Sequence, residues 1–316
     1  MKRRPNVLIC NIKGPNNPVP VTDRDIPLML LGWGCNVFRP PTSPLPSVNR
    51  YVRSNPAALD NNGQMFKFSE GEELDMASAD RSTLFINATV LDGSKHMEPQ
   101  PDMAVAVERG VITWMGPSAV AQAPAGAEVI DLAGAYLMPG LINMHVHLCG
   151  SGKPVSAGDA GALMKKLDNP VGRAIVRHIL KGSAQQQLAS GVTTVRGAGD
   201  PLFADLAVRD AIDAGKYQGP RLVAPGTGVT VPGGHGAGLF AQVANSPAEA
   251  AERVRDLYAR GADVIKLFVT GGVFDATEVG EPGVLRMPVE VAAAACKAAH
   301  EVGLPVMAHV ESTEGV

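Results

Sequence analysis

Two histidines one residue apart, His145 and His147 in Met138-Pro139-Gly140-Leu141-Ile142-Asn143-Met144-His145-Val146-His147, are the densest candidate for metal chemistry in the chain. On an extended strand alternate side chains share a face, so Asn143, His145 and His147 point one way. Ile142, Met144, Val146 and Leu148 point the other way and can pack against covering helices. Two imidazoles on one face can hold one cation. A hydrogen-bonded histidine pair at a strand end fits the same spacing, and is the commoner meaning of a bare HxH.

Lys266 is the second candidate. In Val264-Ile265-Lys266-Leu267-Phe268 it shares a face with Val264 and Phe268. A lysine inside an apolar strand is costly unless it is neutralised or paired, although one at a strand end can reach solvent. His309, in Pro305-Val306-Met307-Ala308-His309, again stands at the end of an expected strand, where a lone histidine is more often structural. His235, in Pro232-Gly233-Gly234-His235-Gly236, lies in a loop whose glycines permit close backbone approach to a ligand; an incidental loop histidine fits equally. Arg196 ends Gly191-Val192-Thr193-Thr194-Val195-Arg196 and can grip a substrate carboxylate in a bidentate fork, or pair with Asp200 as structure. His178 and His300 fall in expected helices and Cys149 lacks a partner, so none of the three receives a role.

The elements that must position these groups alternate. After Pro139, strand-like runs at 141–148, 192–196, 221–224, 262–269 and 305–310 are separated by helical segments. In the clearest helix Ser246 can cap, Pro247 suits the first turn and Glu249 closes a capping box. Its apolar stripe is Ala250, Val254, Leu257 and Tyr258, and Gly261 ends it. Another helix runs from Pro288 to His300. Such repetition implies a parallel sheet, closed as a barrel or left open. Before Pro139 the pattern is β: a strand at 84–91, a hairpin of 103–107 and 111–115 around Glu108-Arg109-Gly110, and one extended run from Val129 to Leu137. Residues 1–77 hold proline clusters and no sustained period, and are expected to form a poorly ordered extension, with Met76 a candidate start.

A net charge of −3 and a pI near 6.2 provide no basic field for nucleic acid, so small molecules are the expected partners. No apolar run approaches the roughly 18 residues of a membrane span. Cys10, Cys35, Cys149 and Cys296 show no paired spacing, which fits a reducing compartment, and a cytoplasmic location is expected. Assembly is left open, a homo-oligomer included.

Four stretches resemble the amidohydrolase superfamily, and within it the imidazolonepropionase-like and Xaa-Pro dipeptidase-like members. They are Leu137 to His147, Gly191 to Arg196, Val264-Ile265-Lys266 with Gly271-Gly272, and Ala308-His309. The resemblance implies a (β/α)8 TIM-type barrel beside a small β-sandwich, with one or two divalent metals, zinc foremost, at the strand ends. His145 and His147 would hold the first metal. Lys266, carboxylated by carbon dioxide to a carbamate, would bridge to a second metal held by His309. Such a centre hydrolyses an amide, cyclic amide or dipeptide bond through metal-activated water.

The chain departs from that pattern. Many relatives carry Asp at the position of Asn143, and Asp after the arginine where this chain has Gly197. A barrel of this type takes about 250 residues, and residues 140–316 offer strands for the first five positions only. The family's histidine on strand six and proton-shuttling aspartate on strand eight have no counterpart, so no catalytic residue can be assigned; Glu311 and Glu314 are the nearest acids. The domain reading is therefore 1–77 as extension, 78–139 as β-sandwich portion and 140–316 as incomplete barrel. The chain is expected to be an inactive fragment of an amidohydrolase, with a non-catalytic metal-binding or partner-binding half-barrel as the alternative.

Overall fold

The computed structural model describes residues 7–10, 82–150, 160–273, 276, 278 and 281–316. They divide into two compact units, Met1–Gly140 and Leu141–Val316.

The first unit is a mixed sheet of β1 (Val7–Cys10), β2 (Ser82–Val90), β3 (Gln100–Glu108), β4 (Val111–Pro117), β5 (Glu128–Asp131) and β6 (Tyr136–Pro139), ordered β1-β6-β2-β3-β4 with β5 also beside β2. Period-two alternation builds its core. Phe85, Val105, Val107 and Leu137 cluster on one face, while Leu84, Ala104 and Ala106 pack on the other. The expected hairpin forms, with Arg109 (φ 50°) and Gly110 (φ 71°) both left-handed as a tight two-residue turn requires. The expected single run from Val129 to Leu137 is instead two strands. Asp131 Oδ1 accepts the Ala133 amide at 2.8 Å, and Ala133 and Gly134 both take positive φ, which turns the chain. Of residues 1–77 only 7–10 are described, and they run antiparallel to β6.

The second unit alternates strand and helix. Its elements are β7 (Leu141–Val146), α1 (Ala160–Leu167), α2 (Pro170–Ala189), β8 (Val192–Gly197), α3 (Ala204–Asp213), β9 (Arg221–Val223), β10 (Gly228–Thr230), β11 (Ala241–Val243), α4 (Pro247–Ala259), β12 (Ile265–Phe268), α5 (Val289–Glu301) and β13 (Val306–His309). Every strand pair is parallel, in the orders β7-β8-β9 and β11-β10-β12-β13. The third expected strand, β9, ends at Val223, two residues before Pro225, which has no amide to donate, and β10 follows it in the other sheet. β10 and β11 are not expected from the pattern, since three residues are too few to show a period.

The expected capping box of α4 forms in part: Ser246 Oγ accepts the Glu249 amide at 3.2 Å, but Glu249 Oε2 reaches past the cap to accept the Asn245 amide at 3.0 Å. Ala250, Val254 and Leu257 are buried, but Tyr258 is 50% exposed and leaves the expected stripe. Ile265 and Leu267 pack with Val254, Leu257, Val291 and Ala295, each large side chain contributing about 1.5–3 kcal/mol. This packing aims Val264, Lys266 and Phe268 at the other side of β12. On β7 the expectation fails in part. Ile142 and Met144 are 61% and 45% exposed, because β7 pairs with β8 alone and no described helix covers them. Val146 and Leu148 do pack against the α2–α3 core. Among the described residues, no helix is long and apolar enough to cross a membrane.

Candidate metal centre

β7 delivers His145 and His147 with ring centroids 5.7 Å apart. The Nδ1–H of His147 is donated to the Gly199 carbonyl at 2.6 Å, a tautomer that leaves Nε2 with a free lone pair. On β13, His309 Nε2–H is shared between the Gly271 carbonyl and Glu311 Oε1, both at 3.1 Å, leaving Nδ1 free. A ligating histidine whose other nitrogen is anchored to a carbonyl or carboxylate is the usual arrangement around a protein-bound metal.

Lys266 is fully buried, and its Nζ has no hydrogen-bond partner among the described residues. The Phe268 ring is centred 4.9 Å from that Nζ. Burial, with a smaller push from Arg196, lowers its ammonium to about 8. The imidazoles are likewise driven toward neutrality. Burial and then the charge of Lys266 hold His145 near 4; burial, partly offset by the bond to Gly199, holds His147 near 4 as well. His309 is lowered chiefly by burial. Burial and one another's field thus push all four groups toward their neutral, basic forms.

Two further groups close the site. His235 is 7% exposed and stacks on His309 at 4.5 Å between centroids, so the loop histidine does reach the cluster. Gly272 makes room, since a Cβ there would collide with the His235 ring. Phe240 and Phe268, 5.4 Å apart, form an aromatic floor on which His147 (4.8 Å from Phe240) and His235 (5.2 Å from Phe268) both rest. Phe268 is visible in the sequence on the face of Lys266. Phe240 carries no signal there beyond the scarcity of aromatic residues.

Arg196 donates Nε–H to the Met144 carbonyl at 2.8 Å and does not pair with Asp200. Asp200 instead accepts the amides of Leu148 and Cys149. Among the described residues, no three His, Cys, Asp or Glu side chains come close enough to hold a metal by themselves. Lys266 is the further basic side chain beside His145 and His147.

Basic side chains gathered where parallel strands end, with helices packed on the opposite side, define the class of α/β proteins that carry their chemistry at that end of the sheet. Residues 136–316 match the Amidohydrolase family, and the chain belongs to it. It is 28% identical over 240 residues to the imidazolonepropionase of Methylobacterium nodulans, covering 71% of this chain and 57% of the relative. A Bifidobacterium longum protein proposed to be a prolidase superposes with a TM-score of 0.59 at 33% identity, covering 74% of this chain and 51% of its own. A Xaa-Pro dipeptidase solved with methionine in its active site superposes with a TM-score of 0.62 at 27% identity, over 74% and 58%. The chain spans about half the length of the relatives it matches.

Proposed function

We propose that this chain contributes the metal-holding part of a hydrolase that cleaves carbon–nitrogen bonds in small amides, cyclic amides or dipeptides. The observation that carries the reading is Lys266, a fully buried amine with no hydrogen-bond partner among the described residues, beside three imidazoles that burial keeps neutral. An amine near its midpoint at about pH 8 offers a neutral nitrogen to carbon dioxide. The neutral amine forms an N–C bond to carbon dioxide and releases one proton to give a carbamate anion; counted from the ammonium, two protons leave. That change removes the cost of an unpaired buried ammonium and provides the ligand that the histidines lack.

In this reading His145 and His147 would hold one divalent ion, Lys266 as a carbamate would add an anionic oxygen ligand, and His309 would hold a second ion. Zinc suits the imidazole donors. Such ions, when bound, supply Lewis acidity and a lowered water pKa. The chain's own groups do the rest. Gly199 and Gly271 fix the two ring orientations, and the Phe240–Phe268 floor excludes water beneath them. Arg196 offers its remaining guanidinium donors to a substrate carboxylate, and His235 walls the pocket beside His309. Architecturally, residues 140–316 form five strand positions of an eight-stranded barrel, and 78–139 a β-sandwich portion.

One observation favours a non-catalytic metal-binding role for the chain as given. Glu311, the carboxylate beside the cluster, is already engaged by His309 rather than standing ready to move a proton. The deciding measurement is metal content of the full chain purified with zinc and bicarbonate. About two ions per chain are expected, with at least one lost in His145→Ala. Equal content in both proteins overturns the assignment.

A further inference from the structure

His147 lies just beyond the last residue of β7, where no strand ladder fixes its backbone. The ladder with β8 is already irregular between Asn143 and Val146. Something else must hold this ring in place, and the residues that do so are Gly199 and Asp200.

Asp200 is fully buried, yet among the described residues neither carboxylate oxygen faces a cation. Oδ2 accepts the amide of Leu148 at 3.2 Å and Oδ1 that of Cys149 at 2.8 Å, the two amides immediately after His147. The preceding residue, Gly199, takes the His147 Nδ1–H at 2.6 Å. Gly199 adopts φ +109°, a conformation that side-chain-bearing residues rarely adopt, and a Cβ there would crowd the Phe240 carbonyl. Asp200 is itself anchored, donating its own amide to the Gly226 carbonyl at 3.0 Å. One dipeptide thus holds both the ring of His147 and the backbone immediately after it. Two oxygens of one side chain accepting two successive amides make a more directional clamp than a single acceptor would.

We propose that Asp200 is a positioning residue of the metal centre, clamping the chain after His147 so that Nε2 stays presented to a cation. The proposal rests on His147 being a ligand. Asp263 is the control: its Oδ2 also accepts a backbone amide, that of Ala224 at 2.9 Å, but it holds neither an amide next to His147 nor the Gly226 residue that anchors Asp200.

The test is cobalt(II) titration of the full chain, followed by its visible d–d absorption, for wild type, Asp200→Asn, Asp263→Asn and His147→Ala. Asp200→Asn keeps the shape but turns one acceptor into a donor facing an amide. Its cobalt affinity should fall 10- to 100-fold with an altered band pattern. Asp263→Asn should stay within twofold of wild type, and His147→Ala should lose the ion. Wild-type affinity and spectrum in Asp200→Asn, beside loss in His147→Ala, overturn the clamp and leave the metal reading standing. Equal losses in Asp200→Asn and Asp263→Asn show general loosening and also overturn it. Unchanged binding in His147→Ala refutes the metal reading, and the clamp falls with it. Should Asp200→Asn fail to fold, hydrogen exchange of the wild type decides. Zinc should slow exchange at the Leu148 and Cys149 amides at least tenfold, and no change there overturns the proposal.

Discussion

His235 stacks on His309 at 4.5 Å and 27°, joining the glycine-rich loop after β10 to the end of β13. Both rings rest against Phe268. The contact is buried, so removing one ring opens a cavity beside the other. His235→Ala should lower stability by about 1–2 kcal/mol in urea melts, while His235→Phe, which keeps the stack, should lose less than half of that. Equal stability of all three proteins would show the stack to be idle.

Lys266→Met separates the two roles of this buried position. Without metal, a thioether of similar length replaces an amine that has no partner among the described residues. The apo protein should therefore gain about 1–3 kcal/mol, read as a higher melting temperature. The same variant should bind less zinc than wild type. A destabilised apo variant would indicate that the amine has a partner in solution.

Asp205 should leave a mark on the pH dependence of stability. Burial first, and then the charge of Asp200, raise its carboxyl to about 8, against about 3.9 in the unfolded chain. The fold therefore binds the proton more tightly than the unfolded chain does. Its contribution is fully present below about pH 4 and is lost as pH rises toward 8. Asp205→Asn cannot ionise and keeps an acceptor for the Gly226 amide. The variant's melting temperature relative to wild type should thus climb steadily between pH 5 and pH 8, by several °C or more, and level off above pH 8. A difference that stays flat, or shrinks, contradicts the burial argument.

Gly236 and Gly233 provide a matched pair. Both have φ near +70°, but a Cβ at Gly236 would run into the Phe240 ring, whereas at Gly233 it meets nothing within 4 Å. Gly233→Ala should cost about 1 kcal/mol, the backbone strain alone. Gly236→Ala should cost about 1–3 kcal/mol more, because Phe240 must move off His147. Chemical denaturation of the two variants checks it, and equal losses would mean that Phe240 is loosely held.

Turnover of Xaa-Pro dipeptides by residues 1–316, loaded with zinc, should be undetectable, since Glu311 is tied to His309. A coupled assay for released proline reads this directly, and steady turnover would assign the proton transfer to a residue of this chain.

Local chemistry is legible in the sequence by itself. The two-residue period puts His145 with His147 and Lys266 with Phe268. The Ser246 cap starts α4, and Arg109-Gly110 turns the hairpin. Each depends on neighbours a few residues away, which is what a sequence displays. Where the period is too short to read, as in β10 and β11, or the chain turns on a side-chain bond, as at Asp131, sequence patterning misses the element. Tertiary structure alone decides which bases meet. His147 reaches Gly199 across 52 residues, and Asp200 turns away from the expected Arg196 to hold backbone amides instead. His235 finds His309, Phe240 closes the floor, and Ile142 and Met144 are left uncovered on β7. Such pairings depend on which strands become neighbours and which edges stay open, and no local pattern records that.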